Sequence, residues 1–391
     1  MKYLVKFFMN SSRKKLLFLI PSYQMGGAER VLLNLVKKMD FDIFDITVCA
    51  VSSYGSLKKE LPKEIRTVSL FQNHQLSRVS AWLGRKLGMQ WQNGFLLNRV
   101  LIGRYDMAVC CSDGALTDIL LFASHRFDKV CSWVHSCYKS QPSLAKIYTS
   151  AFTQQLSKTR YVRINSILCA SNRAKEEFCE LFGLRDKAIY IPNIISTDEL
   201  SEKAVAYSLC DWDENVVNLV AIGRLVSVKA YDKLLRSFAW VLERGYKVHL
   251  RIIGSGPQFE EWRILGESLG VSSHIEWLGH LDNPYPYLKR SDLMVISSDS
   301  EALPTVMLEA MYFGVPVLTT PTNGGREISR EGKYAFLTGF EIDRIAHDME
   351  SLVKDKALRD HFARQGLLRS RDYDDDVALT QFNHFFLCSN N

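Results

Sequence analysis

The feature that most restricts the fold of this chain is a short unbroken apolar run that ends in a glycine loop and leads into a helix. Lys15-Leu16-Leu17-Phe18-Leu19-Ile20 is followed by Pro21-Ser22-Tyr23-Gln24-Met25-Gly26-Gly27, and Ala28 to Met39 then carries apolar residues at helical spacing. A run of this length without alternation reads as a strand covered on both faces, which is how parallel sheets are built. Further runs at 46–51, 107–111, 129–134, 167–170 and 188–191 are separated by helical patterns such as 174–181. Between Pro192 and Asn215 the pattern lapses into Ser, Thr and acidic residues, which marks a domain junction. A second series then begins, with strands expected at 216–222, 247–253, 274–277, 293–297 and 315–319 and helices at 231–242, 258–269 and 304–312. Such alternation predicts two doubly wound α/β halves in tandem. The expected units are 1–195, 196–373 and a C-terminal helical segment, 374–391, able to pack back on the first domain.

The length of 391 residues suits two domains, and 24% charged residues with 47% hydrophobic ones excludes a disordered or fibrous chain. No apolar run reaches the roughly 18 to 20 residues of a spanning helix, and Lys6 and Arg13-Lys14-Lys15 interrupt what would be a secretory leader. The expected location is therefore cytoplasmic. The nine cysteines include no C-x-x-C pair, and Cys49, Cys110, Cys111, Cys131 and Cys169 border apolar runs, as buried small residues do. Neither a disulfide framework nor a zinc site is expected.

The net charge of +6 conceals a division. Residues 1–195 carry 28 basic against 14 acidic side chains and residues 196–391 carry 21 against 29, a net of +14 and −8. No acidic residue occurs between Glu64 and Asp106, whereas Arg66, Arg78, Arg85, Lys86, Arg99 and Arg104 do. Mild overall charge argues against nucleic acid, and the basic half argues for an anionic partner. Val79, Trp82, Leu83, Leu87 and Trp91 fall on one helical face beside Arg78, Arg85 and Lys86. Two readings fit: an interfacial helix on an anionic membrane, or a core-facing helix with a solvated basic edge.

Ligands of open α/β sheets bind beyond the carboxyl ends of the strands, so four loops matter most. Gly26 and Gly27 lack side chains and precede a helix N-terminus, where a phosphate or sugar can approach backbone amides; a plain tight turn explains them equally well. Gly223-Arg224-Leu225-Val226-Ser227-Val228-Lys229 follows the first strand of the second half, and its Arg and Lys can clamp two phosphates unless they are simply solvated. In Ser297 to Met311, Glu301 lies in a polar loop and Glu309 in an otherwise apolar helix that starts near Pro304. A carboxylate buried there needs a hydroxylic ligand or a cation, an internal salt bridge being the plainer alternative. Trp133-Val134-His135-Ser136 places a histidine at a strand exit, where it can also just satisfy a carbonyl.

These residues together resemble the family 4-type retaining glycosyltransferases of GT-B fold, two Rossmann-like doubly wound domains facing a central cleft. The resemblance rests on Glu301-x7-Glu309, Gly223-Arg224 with Lys229, Gly254-Ser255-Gly256-Pro257, Phe313-Gly314-Val315-Pro316-Val317 and Met25-Gly26-Gly27-Ala28-Glu29-Arg30, in the family's order. One departure is Ala230, where the family usually has glycine; it bears on the turn more than on the phosphate clamp. The resemblance implies that Arg224 and Lys229 neutralise a donor diphosphate as it leaves. It implies too that Glu309 binds the ribose hydroxyls, that Glu301 and His135 lie near the transferred sugar, and that Gly26 and Gly27 close on phosphate and acceptor. Gly254, Leu303, Pro304 and Thr305 complete the expected donor-contacting set, with Glu301, His135, Arg224 and Lys229 as the catalytic one. Because attack with retention is described there as front-face, His135 is not expected to be a general base. No metal or other cofactor is implied, since cationic side chains and a helix dipole replace it.

The implied donor is a nucleotide sugar, with uridine expected, and the implied acceptor is lipid-linked or saccharide. The expected setting is surface polysaccharide assembly at the inner face of the cell membrane. Gly254-Ser255-Gly256 lacks the third glycine of a dinucleotide fingerprint, and Asp211-Trp212-Asp213 falls in the junction, where an acidic linker explains it better than a metal site. A non-catalytic nucleotide-sugar-binding protein and a nucleotide-sugar 2-epimerase on the same fold are the competing functions.

Overall fold

The computed structural model describes residues 13–24, 26–87, 90–112, 114–139, 142–209 and 212–388; side chains are described throughout these except at 81–87, 142 and 143. Two all-parallel sheets organise the chain. The first has seven strands in the order β3-β2-β1-β4-β5-β6-β7: β1 (Lys14–Ser22), β2 (Phe44–Ser52), β3 (Arg66–Phe71), β4 (Tyr105–Cys110), β5 (Phe127–Val134), β6 (Ser166–Cys169) and β7 (Ala188–Tyr190). The second has six in the order β10-β9-β8-β11-β12-β13: β8 (Val217–Ile222), β9 (Val248–Ile253), β10 (Ile275–Gly279), β11 (Leu293–Ile296), β12 (Val317–Thr319) and β13 (Phe336–Leu337). β1 is buried from Leu16 to Ile20 and pairs with both β2 and β4, so its unalternating apolar run has helices on both sides to face.

In each sheet the strand order reverses beside the first strand, between β1 and β4 and between β8 and β11. Loops leaving neighbouring strands diverge to opposite faces there and leave a crevice at the carboxyl edge. Seven helices frame that crevice: α1 (Gly27–Lys38), α2 (Asn172–Phe182), α3 (Thr197–Lys203), α4 (Tyr231–Glu243), α5 (Thr305–Tyr312), α6 (Asn323–Ser329) and α7 (Asp375–Cys388). α3 lies within the stretch read as an unpatterned junction. Seven residues with three carboxylates carry too little periodicity to be seen, and tertiary contacts hold them. β3 and β13 were also illegible: β3 is only half-buried along its whole length and β13 has two residues.

The C-terminal helix α7 belongs to the first core. Phe382 and Phe386 pack edge-on against Trp133 and Phe18 at centroid distances of 5.0 and 5.9 Å. Its start is pinned by Lys38, which bridges Asp375 at 2.8 Å and Asp198 at 2.6 Å. The seven buried cysteines behave as small apolar residues, with Cys388 exposed. The basic segment differs from its expectation: it forms two helices, His74–Leu87 and Trp91–Val100, so no single face continues from Val79 to Trp91.

Phe382 is fully buried, so Phe382→Ala removes an aromatic ring from the first core and is expected to cost about 3–5 kcal/mol. Hydrogen exchange should show lost protection in β1, β4 and β5 with β8 to β12 unaffected; equal loss in both sheets would contradict the assignment of α7.

Candidate active site

The exit of β8 is shaped by backbone packing. Gly254, at φ +147, lies so close that a Cβ there would sit 1.8 Å from the Gly223 carbonyl oxygen, and a Cβ on Gly256 would lie 2.2 Å from that of Leu225. The two loops are laced by Leu225 N–H to Ser255 O at 2.9 Å and Gln258 N–H to Leu225 O at 3.2 Å. Gly254 thus acts on the Arg224 loop, fixing where it leaves the sheet. Arg224 itself is exposed, and no hydrogen bond or ion pair holds its guanidinium among the described residues. Ala230, which ends the loop, is in the left-handed region at φ 47, where a Cβ is strained and glycine is not.

Lys229 and Glu301 are brought into direct contact as an ion pair, and Ser298 donates its hydroxyl to the same carboxylate oxygen at 2.8 Å. The loops that carry them are tied by Asp299 N–H to Val228 O at 2.8 Å and by Ser297 Oγ to Lys229 O at 3.0 Å. The β8 and β11 exits therefore form one unit, as their adjacency in the sheet requires.

Pro304 stands immediately before α5, Leu303 is buried beneath the loop, and Thr305 opens the helix with no side chain capping it. The first amides of α5 are thus available to an anion. Gly324 permits the approach of α6, since a Cβ there would meet Pro304 Cδ at 2.5 Å. One turn on, Glu309 is only 8% exposed, and among the described residues no hydrogen bond or ion pair reaches its carboxylate. Burial pushes its pKa up to about 7, against the pull of Arg30 and with a further push from Glu199. It lines a pocket of about 240 Å³ with Arg30, Asn34, Ile195, Ser196, Glu199 and Tyr285. Sequence reasoning missed this set: Arg30 was quoted only as part of a motif, and Ser196 and Glu199 lie in the stretch read as a junction.

From the first domain, α1 points its N-terminus at this region. Gly26 is its uncapped first flanking residue in extended conformation, and a Cβ on Gly27 would meet no atom within 4 Å, so the loop is open to a ligand. The Glu29 carboxylate folds back toward Gly26, 2.6 Å from where its Cβ would be. Burial raises its pKa, while its own amide and the charge of Arg224 oppose the rise. Met25 and Asp211 lie outside the described residues. His135 follows β5 at the same edge, its ring 4.8 Å from that of Trp133 and its Nε2 screened from solvent. Desolvation takes its pKa down to about 4, so its imidazole is neutral near pH 7.

The domains meet again beside this cleft. The Glu327 carboxylate of α6 accepts the first amides of α2, Asn172 N–H at 2.9 Å and Arg173 N–H at 3.1 Å, and Asn323 donates to Glu177 at 2.7 Å. In the basic segment the polar face is the inward one: Ser77 and Ser80 are buried, whereas Leu76, Val79, Trp91 and Phe95 are more than half exposed. The side chains of Trp82, Leu83, Arg85, Lys86 and Leu87 lie outside the described set. No helix among the described residues is long and apolar enough to cross a membrane.

Comparison with known proteins agrees with this arrangement. The family model described as Glycosyltransferase Family 4 matches residues 25–199, and that described as Glycosyl transferases group 1 matches residues 211–369. The chain belongs to the family 4-like glycosyltransferases of GT-B fold. It is 27% identical over 201 residues to a lipopolysaccharide core biosynthesis glycosyltransferase, LpsE, of Rhizobium meliloti, covering 51% of this chain and 57% of that one. It is 28% identical over 213 residues to a capsular polysaccharide biosynthesis glycosyltransferase, CapM, of Staphylococcus aureus, covering 52% and 53%. The match thus spans about half the length of these curated relatives. Among solved structures, Anabaena HepE in complex with UDP and glucose superposes with a TM-score of 0.73 at 17% identity, covering 95% of this chain and 99% of that one. TarM of S. aureus, with UDP and α-GlcNAc-glycerol among its ligands, gives 0.74 at 12% identity, covering 96% and 100%.

Gly254→Ala forces the two loops apart and is expected to destabilise the protein by about 2–4 kcal/mol and to displace Arg224. Thermal unfolding and nucleotide-sugar titration should both register it; wild-type values in both would remove the backbone explanation. His135 gives a pH signature. Its folded pKa lies below its unfolded one, so the stability it contributes is whole above about pH 6.5 and is lost as pH falls toward about 4, by up to about 3 kcal/mol. Denaturant titrations between pH 7 and 4.5 should show a smaller loss in His135→Asn than in wild type.

Proposed function

Taking the chain as a family 4-like GT-B glycosyltransferase, we propose that it transfers a hexosyl or N-acetylhexosaminyl group, with retention and without metal, from a uridine diphosphate sugar to a lipid-linked or saccharide acceptor. The observation that carries this reading is the Glu309 carboxylate, buried, unpaired and facing a pocket, one turn beyond the free amides of α5 and near the Arg224 and Lys229 loop. A ribose donates two adjacent hydroxyls, which are what a buried lone carboxylate needs. The diphosphate then falls toward Arg224, Lys229 and the first amides of α5.

The chemistry follows from those placements. The C1–O bond to the diphosphate breaks with its electron pair going to the phosphate oxygen, and the charge that develops there is met by Arg224 and Lys229. The acceptor oxygen bonds to C1 from the same face, and its proton passes to the departing phosphate. Lys229 enters already oriented by Glu301 and Ser298, which leaves Glu301 beside the transferred sugar. His135, neutral near pH 7, offers a hydrogen bond rather than a proton. No metal is required in this scheme because cationic side chains and oriented amides supply the positive field.

The names of LpsE and CapM support a role in surface polysaccharide assembly, and the UDP complexes of HepE and TarM favour uridine. The outward apolar side chains of 76–95 beside Arg78 and Arg99, in the basic half, favour peripheral attachment to an anionic membrane from the cytoplasmic side.

Released nucleoside diphosphate measures turnover directly. With an accepted donor and acceptor, Glu309→Ala should lower kcat/KM by about 100-fold or more, and chelator should change nothing. Product isomer formed without acceptor would instead indicate an epimerase, and binding without turnover by any acceptor would indicate a non-catalytic protein. Sedimentation with vesicles containing phosphatidylglycerol should fall in Arg78→Glu; equal binding to neutral vesicles would remove the membrane from the scheme.

A further inference from the structure

We propose that Arg30 is a positioning residue for the donor: from the first turn of α1 it reaches across the cleft and holds Glu309 in the ionised form that accepts the ribose hydroxyls. The inference rests on the reading of Glu309 given above and adds a residue of the opposite domain to it.

Arg30 and Glu309 line the same pocket from different domains. The guanidinium is anchored by Glu60 at 3.5 Å and Glu199 at 3.9 Å, which aims it without exhausting its five N–H groups. Glu199 is itself matched by Lys203 at 2.5 Å and Lys37 at 3.4 Å, so Arg30 keeps positive charge to offer the pocket. Around Glu309 the groups that can titrate or carry charge are Arg30 from α1, Glu199 from α3 and Tyr285 from the helix Tyr285–Arg290. Tyr285 is 9% exposed, and burial together with the Glu309 charge raises its pKa, so it remains neutral. Without Arg30 only burial and Glu199 would act on Glu309, and both favour its protonated form. A protonated carboxyl accepts one ribose hydroxyl poorly and cannot accept two. Donor binding therefore depends on the first domain being in place although that domain supplies no listed partner of the ribose itself.

Affinity for UDP-glucose, whose diphosphate does not titrate between pH 6 and 9, tests the proposal by calorimetry. Wild type should bind about tenfold more tightly at pH 8 than at pH 6, because Glu309 ionises in between. Arg30→Met should move the midpoint of that rise to higher pH, with affinity about fivefold or more below wild type at pH 7 and recovering toward pH 9. Arg30→Lys should keep the wild-type midpoint, and Arg30→Gln serves where Arg30→Met fails to fold. A loss of affinity by the same factor at every pH, or an unchanged midpoint, would overturn the role of Arg30. Glu309→Gln separates the two levels: weak, pH-independent binding upholds the ribose assignment whatever Arg30 does, and wild-type binding removes that assignment itself.

Discussion

The parallel adjacency of β8 and β11 is the constraint from which the site follows. Because both strands run the same way and the order reverses between them, the loop bearing Arg224 and Lys229 and the loop bearing Glu301 must leave the sheet side by side. Their ties, Asp299 to Val228 and Ser297 to Lys229, are consequences of that adjacency, and so is the Lys229–Glu301 pair. β1 and β4 repeat the arrangement in the first domain and present the start of α1 to the same cleft. Helices α2 and α6 then join the domains through a carboxylate on free amides, a contact that needs both sheets already formed.

Charge in the cleft is matched in the ligand-free molecule. Lys229 has Glu301, Arg224 has Glu29 within electrostatic reach, and Glu309 has Arg30. A nucleotide sugar enters this field by exchanging one set of partners for another, so neither charged cations nor a buried carboxylate is left without a counterpart in either state. Such exchange limits the desolvation cost that a strongly charged donor would otherwise impose.

Part of this was readable beforehand. Leu16 to Ile20 and Val217 to Ile222 announced buried parallel strands because no residue in them alternates, and Glu309 stood out because its neighbours in the helix are apolar. Gly254 was read as a ligand contact, whereas its packing on Gly223 shows a backbone reason that no spacing reveals. The segment 74–100 looked like one apolar helical face; a break between Leu87 and Trp91 divides it, and Ser77 and Ser80 turn inward because Ser80 finds Asn93 at 2.7 Å. The helix α3 was invisible since its seven residues are held by partners distant in sequence.

What the sequence by itself determined is the fold class and the identity of the donor-facing residues Arg224, Lys229, Glu301 and Glu309. Hydrophobic periodicity and misplaced charge are local properties, and a chain displays them before it folds. Which charges meet was decided only by tertiary structure. Arg30 and Glu309 are 279 positions apart and on different sheets, Lys38 joins α3 to α7, and Phe382 closes a core begun at Leu16. Electrostatic and packing energies depend on distance through space, and only the completed pair of sheets sets those distances.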